Sequence, residues 1–179
     1  MAETSVAQPA GQPAVRPIGP LSPLTDLAVR RIMLGDKVAA AKFGTGQPID
    51  DPVREQQVLD TVAARSAAMG LPPAVSVRFF QAQIEANKIV QRGLVRYWRQ
   101  HPAERPVTRP DLATEVRPQL DRITGEILRQ LRATIKIRRP DALCGIWRLE
   151  AELSAYRINH LDKLHRNAVA VSLRPICET

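Results

Sequence analysis

Apolar residues along this chain recur at three- and four-residue steps and nowhere alternate, a pattern that predicts helices and no strands. Ser22-Pro23 supplies an N-cap followed by proline in the first turn. Leu24, Leu27, Arg31, Leu34 and Val38 follow at helical spacing, so a first helix is expected from Pro23 to about Lys42. Asp51-Pro52 repeats the start signal, Val53, Val58, Leu59, Val62 and Met69 carry a second helix, and Gly70 is a good stop. A third helix, from about Pro73 to Arg99 and interrupted only by Gly93, would be about 40 Å long. The proline-rich connector over 101–110 leads to a fourth helix, from about Leu112 to Ile137, which Pro118 either kinks or begins. After Arg139-Pro140-Asp141 a short helix from Ala142 to Trp147 and a last one from about Leu149 to Ser172 are expected. The fold class is all-α, a helical bundle of about six helices with one long central helix. Residues 1–21, rich in proline and without an apolar period, read as a flexible leader. Residues 22–179 read as a single domain, with a main half over 22–100 and a C-terminal helical half over 111–179.

Cations interrupt the first helix on the face that should be buried. Arg31 and Lys42 are three helical turns apart, within roughly 20° of each other and about 16 Å along the axis. Either both snorkel from the edge of the apolar face, or they grip opposite ends of a small anion. Arg54 opens the second helix, where the positive end of the helix dipole disfavours it, while its neighbour Glu55 suits that end. On the third helix Asn87 and Gln91 fall on an apolar stripe with Phe80, Ile84 and Trp98. Buried amides need partners, so these two satisfy each other or a ligand in the same pocket as Lys42.

The charge balance widens the choice of partner and the composition narrows it again. Lys plus Arg total 26 against 18 for Asp plus Glu, a net charge of +8 that suits nucleic acid, an anionic surface or an anionic ligand. With only 4% aromatic residues, platforms for stacking bases are scarce. No apolar run approaches the roughly 20 residues that span a bilayer, and no signal-peptide pattern follows Met1. Cys144 and Cys177 are either two free thiols or one disulfide. His101, His160 and His165 are scattered without metal-ligand spacing, and the run Arg129, Arg132, Lys136, Arg138, Arg139 reads as a solvated face.

Together these residues resemble the all-helical chorismate mutases, in particular the exported branch. The resemblance rests on Arg31 with Lys42, the loop Gln47-Pro48-Ile49-Asp50-Asp51, Arg54-Glu55 with Val58-Leu59, and Phe80, Gln83, Ile84, Asn87, Lys88 and Gln91. It implies a pericyclic rearrangement of chorismate to prephenate with no cofactor and no metal. By it Arg31 holds a carboxylate, Lys42 and Gln91 donate to the ether oxygen, and Arg54 supports the anionic substrate. Glu55 receives the ring hydroxyl and Asn87 contacts the ligand. A further arginine comes from the second half, with Arg117 the best match and Arg122 the fallback. The resemblance also implies a Cys144 to Cys177 disulfide, a periplasmic or secreted location, and a homodimer with each active site inside one protomer. The expected partner is a small-molecule substrate, not nucleic acid or a membrane. Two rivals stay open: elimination of pyruvate from isochorismate in the same pocket, and a basic helical module that binds anions without catalysis.

Overall fold

The computed structural model describes residues 18–178. Six α-helices follow in order: α1 Ser22–Lys42, α2 Pro52–Ala68, α3 Pro73–Gln100, α4 Arg117–Ala133, α5 Ala142–Ile158 and α6 Lys163–Ser172. Three short turns join them, a 3-10 turn Pro102–Glu104, a π-helical turn Leu112–Val116 and a C-terminal 3-10 turn Arg174–Cys177. Among the described residues there is no strand.

The long helix α3 is the axis of the bundle and packs against α1, α2 and α6, while α1 also meets α4 and α5. Their apolar stripes meet in one core built on Leu24, Ala28, Ile32, Phe80, Val90, Ile127, Leu128, Val169 and Leu173, all fully buried. Two glycines set how closely α3 is approached. A Cβ on Gly93 would lie 2.5 Å from Leu164 of α6, and one on Gly35 would lie 3.0 Å from the Asn87 amide. A side chain at Gly93 would force Leu164 to move, and one at Gly35 would press on Asn87 and Val90. α2 fully buries no more than Val62 and Ser66, so it lies over the bundle as an outer layer.

Several expectations change here. Of the leader expected over residues 1–21, residues 1–17 lie outside the described residues, and Leu21 is fully buried in the core. Pro118 stands in the first turn of α4, so it begins the α-helix, and the π-helical turn runs directly into it. α4 ends at Ala133 rather than Ile137. The Thr134 hydroxyl donates back to the Gln130 carbonyl at 2.6 Å, and β-branched Ile135 and Ile137 follow. No break occurs near Trp147; α5 runs on to Ile158, and the chain turns at residues 159–162 instead. There His160 takes the left-handed conformation at φ 49°, and the Asp162 side chain caps α6 by accepting from the His165 N–H at 2.9 Å.

Within the basic run, Arg129, Arg132, Lys136 and Arg139 are exposed, but Arg138 is fully buried. Its guanidinium donates to Thr134 Oγ1 at 3.0 Å, to the Leu131 carbonyl at 3.0 Å and to the Ile176 carbonyl at 3.2 Å. It therefore closes the frayed end of α4 against the C-terminal turn, where helix carbonyls favour a cation. Next to it Cys144 and Cys177 form a disulfide with Cα atoms 5.9 Å apart, tying that turn to α5.

Candidate active site

Between α1, α2, α3 and the start of α4 lies a cavity of about 210 Å³. Val38, Val58, Ile84, Leu112, Val116 and Leu120 give it apolar sides, and Arg31, Lys42, Arg54, Glu55, Asn87, Gln91 and Arg117 all line it. Every candidate from the sequence is thus brought to one place, and of the two second-half arginines only Arg117 borders it.

Arg31 is 7% exposed, its guanidinium 5.3 Å from the centre of the Phe80 ring and its Nη1 donating to Thr124 Oγ1 at 3.4 Å. Burial pulls its pKa down to about 10 against the opposing charge of Asp121, which leaves it a cation at neutral pH. A guanidinium has five N–H groups, and only this one long bond is made, so most of its donors are uncommitted. Lys42, half-buried at the other end of α1, donates from Nζ to the Pro48 carbonyl at 2.9 Å and to the Ile49 carbonyl at 3.4 Å. That leaves one of its three N–H groups free. Burial lowers its pKa below the ordinary lysine value, opposed by Asp51, Glu55 and Asp50.

The start of α2 is built by its cap. Asp51 accepts from the Arg54 N–H at 3.0 Å, and its own N–H donates to Glu55 Oε1 at 3.3 Å, which fixes both neighbours at the cavity rim. The π-helical turn begins the same way. Asp111 accepts from the Thr114 N–H at 2.7 Å and donates to Glu115 Oε1 at 3.1 Å, and this start delivers Val116 and Arg117 to the opposite wall. Arg54 and Arg117 are both exposed cations at the opening. On α3 the Gln91 Nε2 donates to Asn87 Oδ1 at 2.7 Å, and Asn87 reaches the Arg31 carbonyl at 3.5 Å. The amides do pair with each other, yet the Gln91 Oε1 stays buried without a partner.

Three lining residues were given no role in the site by the sequence reading, although Lys88 is among those that carry the resemblance. Lys88 is 8% exposed and its Nζ lies 2.7 Å from Glu85, 3.1 Å from Glu55 and 3.4 Å from Asp50. Burial opposes its charge, but the bonds to Glu85 and Glu55 outweigh that and hold its pKa above the ordinary lysine value. Glu55 is thereby fixed at both oxygens. Thr124 and Asp121 share the i, i+4, i+7 face of α4 with Arg117, a spacing legible once Arg117 is placed.

Five cations and three carboxylates line the cavity, and two of those carboxylates, Asp51 and Glu55, already have partners. A chamber with apolar sides and cations at both ends suits a small organic dianion, and the class it defines is an all-helical bundle with one enclosed cationic pocket. Comparison with known proteins narrows the class. The family model for chorismate mutase type II matches residues 23–92. A secreted chorismate mutase of Mycolicibacterium smegmatis is 38% identical over 115 residues, 62% of this chain and 63%, less than two thirds, of that protein. One of Mycobacterium tuberculosis is 27% identical over 176 residues, 97% of this chain and 87% of that protein. Among solved structures, the chorismate mutases of Burkholderia phymatum and Burkholderia thailandensis superpose with TM-scores of 0.84 and 0.83, each 33% identical. They cover 89% and 88% of this chain, which spans 97% and 99% of theirs. The chain belongs to the chorismate mutase family. Its secreted relatives and its disulfide fit an exported protein, and none of its described helices is long and apolar enough to cross a membrane.

Proposed function

We propose that the protein is an isomerase that converts chorismate to prephenate in this cavity. In that reaction the ether C–O bond breaks while a new C–C bond forms across the same molecule, and negative charge gathers on the ether oxygen in the transition state. The observation that carries the reading is Arg31, a buried cation whose donors are mostly uncommitted, with Lys42 at the other end of the cavity.

Arg31 and Arg117 hold the two carboxylates in the reactive conformer, and exposed Arg54 adds positive charge at the opening. The free N–H of Lys42 and the second N–H of the Gln91 amide donate to the ether oxygen, where they act most strongly as charge develops. Glu55, fixed by the Asp51 N–H and by Lys88, receives the ring hydroxyl, and Asn87 orients Gln91 beside the ligand. In this reading each protomer holds a complete site. The enzyme is a periplasmic or secreted homodimer in this reading. Leu143, Ile146, Leu149 and Leu153, each 44–54% exposed along one stripe of α5, supply apolar surface that a second copy would cover.

Product analysis tests the reaction. Chorismate should yield prephenate, and isochorismate should release no pyruvate. Pyruvate from isochorismate with chorismate left unchanged would replace the rearrangement by the elimination reading.

A further inference from the structure

Outside the cavity, the C-terminal half of α3 turns a row of cations to solvent. Arg92, Arg96 and Arg99 fall at i, i+4 and i+7, and with Gln100 they border a shallow groove whose apolar floor is Ile49 and Val95. Arg92 is committed, its Nη2 donating to both Asp50 oxygens at 2.6 and 2.8 Å. Arg96 and Arg99 have no carboxylate within 4 Å among the described residues. Like charges at this spacing repel, so the row lacks an anion that would settle it.

The groove and the cavity share a wall. Ile49 lines both, and the adjoining Asp50 is held from the groove by Arg92 and from the cavity side by Lys88 at 3.4 Å. Lys88 in turn holds Glu55 at 3.1 Å. Four charged groups, Arg92, Asp50, Lys88 and Glu55, thus run unbroken from the groove to a carboxylate of the cavity.

We propose that this groove is a second anion site, for a small organic carboxylate with an apolar body, and that its occupation weakens substrate binding through the four-group chain. The carboxylate head pairs with Arg96 and Arg99, whose fork geometry suits it, and the body rests on Ile49 and Val95. Inorganic phosphate satisfies the guanidinium groups and leaves the apolar floor uncovered. A bound carboxylate competes with Asp50 for Arg92. Asp50 then draws Lys88 from Glu55, and the cavity's acceptor is left held by the Asp51 N–H alone. The coupling, though not the site, rests on the mutase reading.

Calorimetry on the intact protein reads binding at the groove without any turnover. Titrated with benzoate at constant ionic strength, the protein should show a saturable heat change, at least tenfold weaker with phosphate and lost in Arg96→Gln/Arg99→Gln. In the active enzyme, benzoate should raise the KM for chorismate to a plateau, and the double variant should keep its basal rate and lose the effect. A benzoate response that survives the double variant overturns the site, and phosphate binding as tight as benzoate overturns the ligand class. A KM that climbs linearly without limit means that benzoate simply enters the cavity, and it overturns the coupling.

Discussion

Two buried arginines in this molecule meet opposite fates. Arg31 on α1 and Arg138 after α4 are both pushed by burial to a pKa of about 10, so both remain cations in the core. Arg138 spends its donors on a threonine hydroxyl and two backbone carbonyls, and needs no carboxylate because the end of α4 supplies the negative pole. Arg31 makes one long bond and faces an aromatic ring and a cavity. Burial alone therefore does not mark a functional cation. What marks it is burial with donors left over, since a closed network stabilises the fold and an open one waits for an anion.

Methionine substitutions should separate the two roles. Arg31→Met removes a buried charge that no carboxylate contacts directly, so its melting temperature should not fall, while chorismate turnover should drop at least about 100-fold. Arg138→Met leaves the Leu131 and Ile176 carbonyls buried without partners, so it should lose about 2–3 kcal/mol of stability in urea unfolding with turnover per folded molecule unchanged. If both variants lose stability and activity alike, the distinction fails.

The second half carries a further tie whose loss belongs to stability alone. Reducing the disulfide, or replacing both cysteines by serine, reopens a loop between residues 33 apart and should cost about 3–4 kcal/mol in the chain-entropy model. Denaturant midpoints with and without reductant measure it.

A smaller effect comes from His165, which bridges Asp36 of α1 and Asp162 at 2.8 Å to each. The bond to Asp36 chiefly, and the one to Asp162, raise its pKa against burial to about 9. The charged form is favoured in the fold, so its contribution is complete below pH 6.5 and disappears as pH rises through 9. On the order of 2 kcal/mol should go, and a His165→Gln variant should lack that part of the pH dependence. The smallest expected effect is on turnover between pH 5 and 8, which should stay nearly level because the Gln91 amide donates without ionising. A steep fall near neutrality, tracking one ionisation, would contradict that role.

The first three helices were legible because each has its proline where the apolar period begins, at Pro23, Pro52 and Pro73. Of the expected caps only Asp51 forms, since Ser22 is the first residue of α1 with Leu21 at the cap position and α3 starts without a side-chain cap. The second half was harder because its cues are not local. The apolar stripe of α5 faces outward, so its period carried no core to read. The turn after α5 is made by Asn159, His160 and the Asp162 cap without glycine or proline. In the site, Arg31, Lys42, Asn87 and Gln91 stood out because polar groups on an apolar stripe are visible in one dimension. The role of Lys88 was not visible, because apart from neighbouring Glu85 its partners Glu55 and Asp50 lie more than thirty positions away and come near only when α2 and the loop before it fold onto α3. Arg138 was misplaced for the same reason, since the Ile176 carbonyl that buries it is 38 residues further on.

The most direct test of the cationic cavity is the loss of chorismate ultraviolet absorbance with purified wild type and with Lys42→Ala. The wild type should consume chorismate, and the variant should fold normally and run about 100- to 1,000-fold slower. No turnover in the wild type, or equal rates in the two proteins, would contradict the account.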